Sequence, residues 1–379
     1  MLSHRTPPVH GAALIGDLVF KSLTERDFDV RYIGLSSSSA INEVGKLNFK
    51  KVKFLFVVLY TLIFELIFFK PNIVYITPSV SGSAFYKDFF FSIIIKIYRL
   101  IHNNYRLIFH IHMRPHRVSW FREKYLFKIL FRSSEIIIPS IVLLKDYKKN
   151  ILSKTKISIL PYAIKPICEK KIAYKKALNY SPTSLNKKTL INVLYLGHLI
   201  ESKGYRRALV IAKAVIKKNK MFKFNFVGEC GSVRDLDYFD DFVLINNLKE
   251  NIFFWGPCKD DKLKCKLFLK NDLLILPSYS EAYPLTILEA FSVGIPVIAT
   301  DTGAIKEIIS ANFGSVVADK GNNIQYINNF TNDIMKITSL WNTNLALECI
   351  DRFYVRWCES RFISELIPIF NSKPNYIEN

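Results

Sequence analysis

The stretch LLILPSYSEAYPLTILEAFSVGIPVIAT, residues 273–300, holds the pattern on which the fold of this chain depends. It begins with an apolar run, continues through a polar loop into a second apolar run, and ends in a third that is typical of a buried strand. Pro284 suits the first turn of a helix, where its missing N–H costs nothing. The order strand, loop, helix, strand predicts a parallel α/β unit with a crossover helix.

Two glutamates stand eight positions apart in this stretch, Glu281 in the loop and Glu289 in the second turn of the predicted helix. In one continuous helix they would lie about 80° apart, but a glutamate in the loop can face the same pocket as Glu289. Free N–H groups at the helix start attract a phosphate, and a carboxylate one turn further in can accept hydrogen bonds from a diol such as ribose. The alternative is a helix-start acid and a solvated helix residue, and the combined arrangement favours the binding site.

The length of 379 residues suits two domains, and 50% hydrophobic residues can supply two cores. Strand-like runs alternate with helical patterns in both halves, which predicts the α/β class with two Rossmann-like, doubly wound domains. We expect an N-terminal domain over 1–165, a lysine-rich linker over 166–189, a second domain over 190–352, and a C-terminal helix over 353–379 that packs back toward the first domain. Ligands of such sheets bind off the carboxyl ends of the strands, so two facing domains would form a cleft.

The net charge of +21 is concentrated in the first half of the chain. Residues 1–200 hold 31 Lys and Arg against 11 Asp and Glu, whereas residues 201–379 hold 22 against 21. An anionic membrane surface, a phosphorylated substrate or a plain solvated surface could each account for the excess. Because no motif that reads RNA or DNA accompanies it, we expect no nucleic-acid partner.

The cysteines predict neither a zinc site nor a disulfide framework, because no C-x-x-C pair or histidine cluster accompanies them; they stand at 168, 230, 258, 265, 349 and 358. Scattered cysteines fit a reducing compartment. The opening MLSHRTPPVHG is not an apolar run and therefore does not resemble a signal peptide. These features together predict a cytoplasmic protein.

Two apolar stretches in the first half are helix candidates. The stretch 54–69 is 16 residues long and contains Glu65, so it is short for a membrane span and predicts a buried helix. The stretch 85–101 mixes aromatic and aliphatic residues with basic ones, namely Lys87, Lys96 and Arg99. It is either a core helix or an amphipathic surface that lies on lipid, and we favour a core helix with one basic face exposed.

The segments NDLLILPSYSEAYPLTILEA and GIPVIATDTGAIKEII, within residues 251–309, resemble the C-terminal domain of retaining glycosyltransferases of family 4, which have the GT-B fold. The E-x7-E motif alone is a weak signal, but in this strand–loop–helix–strand context it is specific. The resemblance implies that Glu289 binds the ribose of a nucleotide-sugar donor. It also implies that Glu281 and the backbone of Ala282, Tyr283, Pro284 and Leu285 lie against the donor sugar and diphosphate, with the loop of Gly303 at the border of the donor site.

The segment YLGHLIESKG, residues 195–204, resembles the donor-phosphate motif of the same family, which usually reads G-R-x-x-x-x-K-G. Gly197 and Lys203 match it, and His198 stands where the family has arginine. Lys203 is a compact charge suited to the leaving diphosphate, and the alternative is a surface lysine after a strand. His198 is either protonated beside the phosphates or replaced in that role by another basic residue.

The segment TPPVHGAA, residues 6–13, is similar to the proline–glycine loop of the family, and its Gly11 would let a phosphate or acceptor approach the backbone beside His10. The alternative is an ordinary N-terminal loop. So few residues precede it that the first strand is either a stub or begins upstream.

The stretch IFHIHMRPH, residues 108–116, ends a predicted strand, with His110 and His112 on one face. The family often has histidines here on the acceptor side of the cleft, so His112 is the catalytic candidate and His110 is expected to pack below it. Arg114 is placed to meet an acceptor phosphate.

Metal binding is not expected. Asp235 and Asp237 give a D-x-D pattern, but they follow VGECG in what we interpret as a solvated loop. The sequence thus predicts catalysis without a metal or other cofactor, in which Lys203, helix N–H groups and His198 stabilise the departing charge.

The leading hypothesis is a retaining, hexosyl-transferring enzyme that extends a lipid-linked glycan for bacterial O-antigen, capsule or exopolysaccharide. It would act as a cytoplasmic, peripheral protein at the inner face of the cell membrane. A second hypothesis is a GT-B sugar-nucleotide epimerase or phosphorylase. A third is a non-enzymatic, basic membrane-docking protein on the same scaffold.

Overall fold

The computed structural model describes residues 1–6, 11–35, 49–80, 82–99, 101–102, 105–114, 120–147, 155–179, 190–258, 260–309, 312–320 and 322–372. The chain divides into two compact units. The first comprises Met1–Tyr162 together with Glu359–Asn379, and the second comprises Ala163–Cys358. Both are α/β units, which confirms the predicted fold class.

The first unit is built on a parallel six-stranded sheet in the order β2-β1-β3-β4-β5-β6. Its strands are β1 Leu2–Ser3, β2 Ile33–Gly34, β3 Ile73–Ile76, β4 Arg106–His110, β5 Glu135–Ile138 and β6 Lys156–Ile159. The first strand comprises Leu2–Ser3, and Leu2 pairs with both Ile33 and Ile76. Although β1 is only two residues long, it therefore connects β2 to the other strands of the sheet.

The described helices of the first unit are Gly11–Thr24, Phe49–Phe68, Gly82–Tyr98, Trp120–Phe131, Ile141–Tyr147 and Glu359–Asn371. The sheet order sends the chain in one direction from β2 to β6. Because crossovers between parallel strands are right-handed, the four helices on that path lie on one face of the sheet. The first and last helices contact each other and cover the opposite face.

Arg106, at the start of β4, fastens the last helix to the first sheet. Its guanidinium donates two hydrogen bonds to the carboxylate of Glu135, at 2.6 and 2.7 Å. It also donates to the carbonyl oxygens of Ile369, Phe370 and Ser372, at 2.7 to 2.9 Å. Because the side chain is buried, the carboxylate balances its charge and the carbonyls satisfy its remaining N–H groups.

The second unit is built on a parallel six-stranded sheet in the order β12-β11-β10-β7-β8-β9. Its strands are β7 Ile191–Leu196, β8 Phe222–Val227, β9 Ile252–Phe254, β10 Leu273–Leu276, β11 Val297–Thr300 and β12 Gly314–Val317. Its described α-helices are Lys170–Leu178, Tyr205–Lys218, Val233–Ile245, Asp261–Lys270, Leu285–Ser292, Ile305–Ile308, Asn323–Leu340 and Thr343–Arg356. The strand–loop–helix–strand prediction for residues 273–300 is confirmed.

Part of the predicted linker over 166–189 is regular structure. Residues Lys170–Leu178 form a helix of the second unit, with Ala173 buried. Lys176 donates hydrogen bonds to the carbonyl oxygens of Phe268 and Asn271, at 2.8 and 2.5 Å. Lys176 of the predicted linker therefore binds the end of a neighbouring helix, and residues 180–189 lie outside the described part of the chain.

Two cysteines depart from the prediction that no disulfide forms. Cys168, just before the helix Lys170–Leu178, is bonded to Cys265 in the helix Asp261–Lys270. The two lie 97 positions apart in the sequence, so their spacing gives no sign of the pairing. For this pair the prediction of free thiols is wrong.

The D-x-D pattern also lies elsewhere than predicted. Asp235 and Asp237 belong to the helix Val233–Ile245, not to a loop. Ser232 caps that helix by accepting a hydrogen bond from the Asp235 N–H, and the Asp235 carboxylate accepts one from the Tyr205 hydroxyl at 2.8 Å. Asp235 thus has a structural role at a helix start.

The apolar stretch 54–69, predicted as a buried helix, is buried on one side only. Within the helix Phe49–Phe68, one side packs on the core through Val58, Leu62 and Leu66, and the other side is exposed. We call the exposed set the aromatic face; it comprises Phe56, Tyr60, Phe64 and Phe68, with Tyr86 and Phe90 from the adjacent helix. Nowhere in the described ranges does a helix combine the length and apolarity needed to cross a bilayer.

The predicted basic face of the stretch 85–101 is not free. Lys96 donates to the carbonyl oxygens of Ile129 and Arg132, both at 2.7 Å, and burial together with nearby arginines lowers its pKa to about 8. Arg99 donates to the Ser133 carbonyl at 2.6 Å, and Lys87 donates to the Leu35 carbonyl. These cations satisfy helix and loop ends, so the exposed surface beside them is aromatic, not basic.

Candidate active site

Glu281 and Lys203 form an ion pair at the carboxyl ends of β10 and β7. The Lys203 ammonium lies 2.9 and 3.0 Å from the two carboxylate oxygens, and the Ser278 hydroxyl donates to one of them at 2.9 Å. Glu281 is 8% exposed, whereas the Lys203 side chain is 32% exposed. The carboxylate is therefore fixed in the protein, and the cation can still be reached from solvent.

Gly204 explains how Lys203 reaches this position. Its φ is +69°, in the left-handed region, and a Cβ here would lie 2.0 Å from the Pro277 carbonyl oxygen. The Tyr279 N–H donates to the Ser202 carbonyl at 3.0 Å across the same contact. Only glycine lets the turn after β7 lie directly on the loop after β10, so the K-G pair of the motif has a steric reason.

Glu289 forms a second lysine pair, which the sequence did not indicate. It lies in the helix Leu285–Ser292, is 5% exposed, and accepts a 2.5 Å hydrogen bond on Oε1 from Lys264. Its Oε2 is buried and has no hydrogen-bond partner among the described residues. Burial raises the pKa of this carboxyl, and Lys264 opposes the rise. The site therefore contains a carboxylate with one unused acceptor oxygen.

The loop after β11 packs on the glutamate loop through Gly303. Its φ is +58°, and a Cβ would lie 2.2 Å from the Glu281 carbonyl oxygen. The Ala304 N–H donates to the Ala282 carbonyl at 2.9 Å. Gly303 thus holds the backbone of residues 281–282 in place, which is consistent with the predicted border of the donor site.

The helix Leu285–Ser292 begins beside this loop without a side-chain cap. Its N-cap residue is Pro284, one position earlier than the predicted first-turn place, and it makes no side-chain capping hydrogen bond. Tyr283 is buried, and its hydroxyl accepts a hydrogen bond from the Trp357 indole at 3.0 Å. Helix N–H groups left without a side-chain partner are suited to an anion.

Gly197 and His198 follow β7 directly. The Gly197 N–H donates to the Val227 carbonyl, and a Cβ on Gly228 would lie 1.9 Å from the Gly197 carbonyl oxygen. His198 is half-buried, and its carbonyl accepts from the Tyr195 hydroxyl at 3.1 Å. Sequence reasoning missed Gly228, although a glycine at the end of a predicted strand was a usable signal.

Arg207 is another residue that sequence reasoning missed. Its guanidinium lies 3.6 Å from the ring centroid of Tyr279 and donates two 3.1 Å hydrogen bonds to Asp319. It also lies over the ring of Tyr326. These contacts fix Tyr279, two residues before Glu281, and no sequence pattern distinguishes Arg207 from its basic neighbours.

The histidines of the first unit form a buried stack. The rings of His110 and His112 lie 4.2 Å apart. His110 hydrogen-bonds the Tyr75 hydroxyl through Nδ1 at 2.7 Å, and burial lowers its pKa to about 3, so it is neutral at physiological pH. His112 lies two residues beyond the end of β4, is mostly buried and hydrogen-bonds the Tyr162 hydroxyl through Nδ1.

The other residues predicted on the acceptor side are only partly described. Arg114 donates to Asp146 at 2.8 Å, so its charge has a partner within the first unit. Gly11 is the first residue of the helix Gly11–Thr24. His10 lies outside the described residues.

Comparison with known families matches residues 179–343 to the family described as glycosyl transferases group 1. Over 254 residues the chain is 29% identical to a 41.2 kDa protein of the cps region of Klebsiella pneumoniae, covering 64% of this chain and 63% of that protein. It is 23% identical to the capsular polysaccharide biosynthesis glycosyltransferase CapM of Staphylococcus aureus over 182 residues, covering 46% of this chain and 42% of CapM. The chain therefore spans less than two thirds of the length of these relatives.

Solved structures share the fold over nearly the whole chain. The lipopolysaccharide outer core galactosyltransferase WaaB superposes with a TM-score of 0.68 at 14% identity, covering 97% of this chain and 98% of WaaB. The Anabaena protein HepE in complex with UDP gives a TM-score of 0.67 at 13% identity, with 97% and 98% covered. These neighbours confirm the predicted GT-B fold.

Proposed function

Because residues 179–343 are a domain of the glycosyl transferases group 1 family, we propose that this chain moves a sugar from a nucleotide-sugar donor to a glycan acceptor. The observation that carries the proposal is the pairing of Lys203 with Glu281 beside the helix Leu285–Ser292, whose start has no side-chain cap. An exchangeable cation and free helix N–H groups together suit a diphosphate.

Lys203 would exchange its contact with Glu281 for the donor diphosphate. As the bond between the anomeric carbon and the diphosphate oxygen breaks, negative charge develops on the leaving phosphate. Lys203 and the first N–H groups of the helix would stabilise that charge, with His198 beside them. Glu281 would then face the sugar, and transfer would retain the anomeric configuration, as the family resemblance implies.

Glu289 would bind the donor ribose, because its buried carboxylate keeps one acceptor oxygen free for a hydroxyl. On the acceptor side, His112 would take the proton of the attacking hydroxyl. The neutral His110 below it would keep the ring in place, since the two rings are stacked.

Transfer would not require a metal ion. Positive charge at the leaving diphosphate comes from Lys203 and the helix N–H groups. Within the described ranges, no three His, Cys, Asp or Glu side chains are grouped as a metal site would need. We predict that Lys203 and the helix N–H groups supply enough positive charge for the leaving diphosphate. Adding a chelator to the working enzyme tests this.

We further propose that the acceptor is a lipid-linked glycan of a surface polysaccharide and that the protein works at the inner face of the cell membrane. The support comes from the cps-region and capsule relatives, the basic first half and the aromatic face. Aromatic residues are favoured at the boundary between lipid headgroups and acyl chains.

A ligand screen tests the central proposal. Ligands that bind only the folded state raise the melting temperature, so the full chain should be stabilised by at least one nucleotide sugar in a panel. Slow release of the free nucleotide from that sugar should follow, and Lys203→Met should abolish it. Interconversion of two nucleotide sugars without acceptor would indicate an epimerase. Stabilisation by no member of the panel would support a non-enzymatic docking protein.

A further inference from the structure

The environment of Glu289 is more specific than a carboxylate in a nucleotide pocket requires. Oε1 is held by Lys264 at 2.5 Å, while Oε2 is buried and meets no hydrogen-bond partner in the part of the chain that the structure describes. Both side chains are mostly buried, with 24% of Lys264 and 7% of Glu289 exposed. A buried acceptor without a partner is costly unless a ligand completes it.

Lys264 is fixed by its own helix. Asp260 caps the helix Asp261–Lys270 by accepting a 2.7 Å hydrogen bond from the Leu263 N–H. The next residue, Cys265, is tied to Cys168 by the disulfide. The backbone at Lys264 is therefore restrained on both sides, and the contact with Glu289 holds its ammonium against the carboxylate.

We propose that Lys264 is a positioning residue that fixes the orientation of the Glu289 carboxylate through Oε1, so that Oε2 is directed at a single hydroxyl of the donor ribose. This inference rests on the proposed function, since it specifies how the same site recognises its nucleotide. It requires that only one of the two ribose hydroxyls contributes strongly to affinity.

Lys264 would also keep Glu289 ionised. Among the described residues, the charged groups that act on this carboxyl are Lys264, which lowers its pKa, and Asp261, which raises it together with burial. Without Lys264 the pKa of Glu289 would rise further, and the carboxyl would stay protonated to higher pH. Nucleotide affinity in a variant without Lys264 would therefore be more sensitive to pH than in the unaltered chain, falling as the pH is lowered and recovering as it is raised.

Calorimetric titration of the full chain with UDP, GDP and ADP tests this, and the tightest of the three becomes the probe. Lys264→Met should weaken binding of the probe about tenfold at pH 7, which is the scale of one charge-assisted hydrogen bond. The loss of affinity should be smaller at pH 9. Lys264→Arg should retain most of the affinity. Lys266→Met is the matched control, because Lys266 is exposed on the same helix and should leave binding unchanged.

The 2′-deoxy and 3′-deoxy forms of the probe test the single-hydroxyl contact on the unaltered chain, whatever the fate of the variants. One deoxy form should bind about tenfold more weakly than the probe, and the other less than threefold more weakly. Equal losses, or a Lys264→Met effect that is absent or independent of pH, would overturn the inference. If none of the three nucleotides binds the unaltered chain, the proposed function fails as well, so the two failures can be told apart.

Discussion

Two regions of this protein depart from the usual distribution of side chains, in opposite directions. In the second unit, the carboxylates of Glu281 and Glu289 are buried, although glutamate is normally exposed. In the first unit, the aromatic face defined above is exposed, although phenylalanine is normally buried. Stability explains neither departure, because a buried charge costs free energy and an exposed aromatic ring gains none.

The comparison indicates where function lies in each unit. In the second unit the charges are held by lysines in a fixed geometry, as expected of a site that binds charged and polar ligands. In the first unit the cations beside the aromatic face donate hydrogen bonds to carbonyl groups, and the exposed surface there consists of aromatic rings. We therefore expect substitutions in the second unit to affect turnover and nucleotide binding. Substitutions on the aromatic face should affect binding to the membrane.

The largest effect should come from Lys203. Replacing it with methionine removes the cation at the leaving diphosphate, and we expect turnover to fall by roughly 10²- to 10³-fold, as when a transition-state donor is lost. Because the buried Glu281 carboxylate loses its cation, the melting temperature should also fall, and turnover is compared at a temperature where both proteins are folded. Lys213→Met, on an exposed position of the next helix, is the control for turnover assays. If Lys203→Met is fully active, the ion pair of Lys203 with Glu281 is not part of the catalytic site.

Glu289→Ala should act on binding more than on turnover. Loss of a charge-assisted hydrogen bond to ribose costs about 1.5–3 kcal/mol, or roughly 10- to 150-fold in Kd. Titration of the folded variant with the donor nucleotide measures it, with Glu250→Ala at an exposed site as the control. If the affinity is unchanged, Glu289 does not bind the ribose, and its role is to stabilise the fold.

The aromatic face should matter only when lipid is present. We expect Tyr60→Ser combined with Phe64→Ser to lower binding to vesicles by about tenfold or more, since one buried aromatic ring contributes about 1.5–3 kcal/mol. Turnover on a soluble acceptor should be unchanged, and Val355→Ser, at an exposed site of the second unit, should leave vesicle binding intact.

Vesicle flotation at low and high salt separates aromatic insertion from the anionic docking that the net charge predicts. Insertion should persist at high salt, because screening acts on charges and not on apolar burial. Binding that disappears with added salt would show that the basic residues, and not the rings, hold the protein on lipid.

The smallest effect should follow removal of metal ions. If Lys203 and the helix N–H groups supply the positive charge, EDTA should change turnover by less than about twofold. Lost activity that manganese or magnesium restores would show that an ion completes the charge of the second unit.

The sequence predicted the second unit better than the first. Residues 273–300 combine three short apolar runs with a proline at the helix start, so local chemistry alone placed β10, β11 and the helix between them. The helix Phe49–Phe68 is apolar on all sides, so its periodicity could not reveal which side faces solvent.

The residues that the sequence did not reveal depend on contacts between distant positions. Lys264 lies 25 positions before Glu289, and nothing local distinguishes it from the other lysines of its helix. The bond between Cys168 and Cys265 likewise requires the fold. Ser232 and Asp235 did form a readable helix-start pattern, so the helix that replaced the expected loop could have been predicted.

The guanidinium of Arg106 has a consequence for the order in which the protein can be completed during translation. The three carbonyl oxygens that it binds lie 263 to 266 positions further along the chain. When β4 leaves the ribosome, those acceptors have not yet been synthesised, so water must satisfy the guanidinium until the C-terminal helix is made. The first unit to emerge is therefore the last to be completed.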